Sequence, residues 1–137
     1  MTIDTLNMLV TGAIWRAEQL DEMSMAACSA WMEVSKFEEA LAKAIPVEDP
    51  EGRIARRGAV RAALKAKQHT RARELAVQYT AEEGVTKSLC ADLRGILESD
   101  AKELSERFPH AAKHHTPSEL QTRVIHFLEH GPFGLAA

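Results

Sequence analysis

The sequence predicts an all-α fold: a bundle of about four mostly antiparallel helices, entered through a long N-terminal helix. Ala, Leu, Glu, Lys and Arg supply 67 of the 137 residues, the composition of long helices rather than of a mixed or β fold. Seven Val, six Ile and a single Tyr are too few to furnish many strands. Before the first proline, apolar residues recur three and four apart, the period of a helix that buries one face. At 15.1 kDa the chain reads as one domain, 1–137, large enough to bury a core without disulfides or metal.

The first helix is expected over 3–45. Leu6, Ala13, Leu20, Ala27, Val34 and Leu41 lie seven apart, the spacing of helix packed on helix. Unbroken, it would run about 60 Å at 1.5 Å per residue, which is long for a small domain. Gly12 and the polar Asp21-Glu22 region are the natural bends. Trp15 and Trp31 would point to nearly opposite sides of a straight rod, so the helix either breaks near Asp21 or buries two faces. Met8, Met23, Met25 and Met32 read as core filler, with a pliable binding groove as the alternative.

Pro46 to Pro50 form the first loop, with Asp49 as N-cap and Pro50 at the first helical position. The second helix is expected over 50–79. Thr80-Ala81-Glu82-Glu83, followed by Gly84, has capping-box spacing, so a third helix is expected over 80–108; one helix running through this point is the alternative. Its apolar stripe is Val85, Leu89, Leu93, Ile96, Leu97, Ala101, Leu104 and Phe108. After a polar connector, Thr116-Pro117-Ser118-Glu119 combines a capping box with a first-turn proline. It opens a last helix over 117–130, with a short tail at 131–137.

Charge is laid out unevenly. The net charge is −3, yet Arg53, Arg56, Arg57, Arg61, Lys65, Lys67, Arg71 and Arg73 stand together with no acid among them. On a helical wheel most of these cations share about half the circumference. The other side collects Ala55, Ala59, Ala62, Ala63 and Ala66, small residues that let a second helix approach. Val60 and Leu64 fall within the basic face. Apolar groups set among cations suggest a surface that something touches, and Arg53, Arg56, Arg57, Val60, Arg61, Leu64, Lys65 and Arg71 are the candidate partner-binding residues. An acidic protein surface is one fit. A second copy of the chain is another, because the first helix carries more heptad seam than a small monomer covers. A sequence-tolerant nucleic-acid binder could use the same cations, although helix-turn-helix spacing and interleaved aromatics are missing. The plain alternative is internal pairing with Glu33, Glu38 and Glu39, or with Glu98, Glu103 and Glu106.

Signals for chemistry are weak. His126 and His130 stand four apart, a metal-capable spacing, but on the solvent face beside Arg123 and at a helix end that favours protonated imidazole. His110, His114 and His115 could join them only if the connector folds back. Bundle di-iron sites need Glu-x-x-His pairs, which do not occur. His110 to Lys113 resembles the His-x-x-Lys of phosphotransfer bundles only by chance, since Pro109 precedes it. Glycine-rich phosphate loops and nucleophile elbows are absent. The expectation is a non-catalytic interaction or regulatory protein with no catalytic residue, metal or cofactor. No stretch approaches the roughly 18 to 20 apolar residues of a membrane span, the N-terminus does not read as a signal peptide, and two distant cysteines suit a reducing cytoplasm.

Overall fold

The computed structural model describes residues 1–107. They form five α-helices with no strand among them: α1 (Ile3–Glu18), α2 (Met25–Ala44), α3 (Pro50–Lys65), α4 (His69–Thr80) and α5 (Lys87–Arg107). The helix expected over 117–130, the tail, and Phe108 lie outside the described residues. The chain divides into two compact units, Met1–Leu75 and the remainder from Ala76.

Within the first unit, α2 packs against both α1 and α3. The rod expected over 3–45 is two helices. Asp21 and Ser24 break it: Asp21 Oδ1 accepts from the Met23 N–H at 3.0 Å, the Ser24 hydroxyl donates to the Asp21 carbonyl at 2.7 Å, and Ser24 Oγ then accepts from the Ala27 N–H. Ser24 is thus the N-cap of α2, satisfying one orphan donor of its first turn. The seven-residue spacing survives because both halves bury a stripe. Leu6, Val10, Ala13 and Ala17 are the buried residues of α1, and Ala27, Val34 and Leu41 are among those of α2. Leu20, in the break, is exposed. The seam that suggested a second copy of the chain is therefore used where α1 meets α2. Trp15 is 65% exposed, and Met8, Met23 and Met25 are exposed rather than core filler; only Met32 is half-buried.

Asp49 caps α3 and Pro50 stands in its first turn, as the sequence leads one to expect. The helix does not continue to 79. It ends at Lys65, and Lys67 takes a left-handed φ of 62°. The Gln68 N–H bonds the Ala63 carbonyl at 2.9 Å and the Lys67 N–H bonds the Leu64 carbonyl at 2.9 Å. This is the Schellman closure, usually built on glycine. Thr80 does not cap a third helix either. It is the last residue of α4 and its hydroxyl donates back to the Ala76 carbonyl at 2.7 Å. Thr86 caps α5 instead, accepting from the Leu89 N–H at 3.1 Å. Leu89, Leu93, Leu97 and Ala101 of α5 are buried, so the expected stripe is present within the second unit.

Two substitutions probe these backbone features in opposite directions. A Cβ at Gly52 would run into the Pro46 carbonyl oxygen, which is backbone and has little room to yield. Gly52→Ala is expected to lower stability by about 1–3 kcal/mol in urea denaturation. Lys67→Gly removes the left-handed penalty of a β-carbon and is expected to raise stability by about 0.5–1 kcal/mol in the same assay.

Candidate interaction surface

The alanine side of α3 is buried as expected: Ala55, Ala59, Ala62 and Ala63 all lie inside. The buried face is wider than the alanines, however, and takes in Arg56 and Val60. These two candidates leave the surface. Val60 adds apolar area to the core.

Arg56 goes inward for a different reason. Pro46 stops α2 and leaves its last carbonyls without intrahelical donors. Nη1 of Arg56 donates to the Ile45 carbonyl at 3.0 Å and to the Gly52 carbonyl at 2.8 Å, while Nη2 donates to the Ala42 carbonyl at 3.0 Å. At 3% exposure, the guanidinium closes the C-terminus of α2 from the neighbouring helix. The negative end of the helix dipole adds to its hold on a cation. A question put to the sequence could have found it: which donor satisfies the carbonyls before Pro46?

Arg71 is also drawn into the structure. The break at residues 66–68 places it on α4, not on one rod with α3. Its Nη2 meets Glu39 Oε1 at 3.0 Å and its Nε donates to Ser35 Oγ at 3.2 Å. The Ser35 hydroxyl in turn donates to the Ala59 carbonyl at 2.8 Å. One buried hydroxyl thereby links α2, α3 and α4 with its hydrogen bonds made in both directions. Of the acids weighed for internal pairing, Glu39 takes this role. Glu33 pairs instead with Arg16 of α1 at 3.1 Å, and Glu103 with Arg107 on its own helix at 3.3 Å. Glu38 is buried, and burial pushes its carboxyl up to about 7.

What stays outward is a narrower set. Arg53, Arg57, Arg61 and Lys65 stand four apart along α3, a row that winds slowly around the helix because four residues overshoot one turn. Arg61 and Lys65 are exposed, while Arg53, Arg57 and Leu64 are half-buried. Arg53 donates to the Glu48 carbonyl at the start of the row. At the other end, Lys65 Nζ sits 4.2 Å from the ring centroid of Trp31, a cation–π contact. Trp31 packs beside a core cluster of Ala13, Ala17, Val34 and Ala62, so its indole joins the core to the cationic edge. The row and its flanking indole are the surface that remains of the eight expected residues.

Among the described residues no group of three or more His, Cys, Asp or Glu could hold a metal ion, and no helix is long and apolar enough to cross a membrane. Cys28 and Cys90 are free, and burial pushes the Cys90 thiol up, which leaves thiolate scarce at neutral pH. The histidines at 110, 114, 115, 126 and 130 lie outside the described residues. In comparisons with known proteins, no family model, curated protein or solved structure matches the chain.

The inward and outward arginines should behave differently on truncation. Arg56→Ala strips donors from three buried carbonyls and is expected to cost about 3 kcal/mol or more in urea denaturation. Arg61→Ala, on an exposed side chain, is expected to stay within about 0.5 kcal/mol of the parent.

Proposed function

We propose that the protein is a non-catalytic interaction protein whose cationic edge on α3 docks an acidic surface of a protein partner. The observation that carries this reading is the division among the arginines. Arg56 and Arg71 are committed to internal acceptors, yet the four-residue row continues outward and ends in exposed Arg61 and Lys65. An exposed row costs little in stability and favours encounter with an anionic surface. Trp31, half-buried beside Lys65, adds a flat amphipathic group of the kind enriched at protein interfaces.

A protein partner is preferred to nucleic acid on charge. The row is short, the chain as a whole carries −3, and one Lys65-covered indole offers no ladder for stacking bases. The two are separated by titrating labelled oligoglutamate, duplex DNA and single-stranded DNA at about 50 and 200 mM salt. The expected outcome is binding of oligoglutamate that is lost in the double variant Arg61→Glu, Lys65→Glu. That variant is expected to retain a cooperative thermal transition at slightly lower temperature, because Lys65 no longer covers Trp31 or favours the C-terminal end of α3. Tighter binding of DNA, weakening about 100-fold over that salt range as four phosphate contacts require, would transfer the surface to nucleic acid. Failure of all three probes at the lower salt overturns the proposal.

A further inference from the structure

Glu38 lies where α2 meets α3, on the α2 face that also buries Val34, Ser35, Leu41 and Ala42. It is 8% exposed. Its carboxyl rests on Gly58, where a Cβ would come within 2.7 Å of both the carboxyl carbon and Oε1. The missing side chain at position 58 is what makes room for it. A charged carboxylate so placed needs a cation or several donors to offset lost hydration.

The groups around it are engaged elsewhere. On α2, Lys43 lies 4.0 Å from Glu39, and the Ser35 hydroxyl donates to the Ala59 carbonyl. On α3, Arg56 serves backbone carbonyls and Lys65 covers Trp31. Arg57, which precedes Gly58, and Arg61, three residues after it, form no ion pair with Glu38, nor does any other described residue. On α4, Arg71 is held by Glu39 and Ser35, and on α1, Arg16 is held by Glu33.

We propose that Glu38 is a proton-operated latch on the seat of α3 against α2. As the neutral acid it packs on Gly58 and the helices stay in contact; as the carboxylate it leaves the seam and α3 loosens. The direction of the pH dependence follows from burial, which raises the carboxyl from 4.5 to about 7. A group raised in the folded state contributes stability that is fully present below its unfolded value and is lost as pH rises through the folded one. The latch is therefore closed in mild acid and released as pH passes neutrality. No partner enters this inference, which stands apart from the docking surface on α3.

The test is an NMR titration of the whole chain across about pH 4 to 9, with carboxyl-labelled glutamate reporting Glu38 and the amides of Ala59, Ala62 and Ala63 reporting α3. In the parent, the Glu38 carboxyl is expected to titrate near 7 and the α3 amides to move with the same midpoint. That amide movement is expected to vanish in Glu38→Gln. Gly58→Ala, whose added carbon displaces the carboxyl, is expected to bring both midpoints down toward 4.5. Three results overturn the latch: a parent carboxyl that titrates near 4.5, α3 amides that stay still through its transition, or amide movement that persists in Glu38→Gln. If Glu38→Gln does not fold, Gly58→Ala decides, since an amide midpoint that fails to follow the carboxyl also removes the proposal.

Discussion

The closure of α2 by Arg56 is the constraint on which the first unit depends. Pro46 cannot continue the helix, and Ile45 at the C-cap is extended, so the last carbonyls need a donor from outside the helix. Arg56 reaches them from α3, bonding the carbonyls of Ala42 and Ile45 across the loop and of Gly52 within its own helix. A guanidinium suits this task better than an ammonium because its planar fork addresses several carbonyls at fixed angles. The contact also sets register. It brings the first turn of α3 so close to the loop that position 52 has no room for a side chain.

With that end closed, the approach of α3 to α2 is governed by small residues. Ala55, Ala59, Ala62 and Ala63 line the buried side, and each adds little apolar area of its own. A seam of alanines brings backbones near each other, which is why a serine hydroxyl on α2 can reach the Ala59 carbonyl of α3. The same closeness confines Glu38 against Gly58. A low aromatic content of 5% and an alanine seam go together here, and the polar contacts of buried Arg56 and Ser35 and of half-buried Arg71 supplement a core short of bulky side chains.

The block of positive charge that dominates the sequence is sorted by this packing. Arg56 is buried against carbonyls, Arg71 is bonded to Glu39 and Ser35, and exposed Arg61 and Lys65 lie along one edge of α3, while Lys67 follows that helix and Arg73 stands on α4. Residues that are neighbours in charge thus have different work. Arg56 and half-buried Arg71 hold elements together, and removing Arg56 strands the carbonyls it serves in a poorly solvated site. The exposed pair, Arg61 and Lys65, is screened by solvent and contributes little to folding, which leaves it free to be selected for contact with something else.

Much of this molecule was legible in the order of its residues. Helical class, the Asp49-Pro50 start of α3, the buried alanines and the leucine stripe of α5 follow from period and from local bonds between near neighbours, which the chain itself specifies. Other features were not. Lys67 in a left-handed conformation carries no glycine signal, and Thr80 and Thr86 offer the same hydroxyl although only the second caps α5. The candidate surface was half legible: periodicity located Arg61 and Lys65 outside, but it could not say how wide a face α2 would cover, so Arg56 and Val60 were assigned to the wrong side. Sequence determined which residues share a face of a helix, because that depends on a fixed rotation per residue. Tertiary structure alone decided which faces are covered and which charges find acceptors, because both depend on groups many residues away brought near by folding.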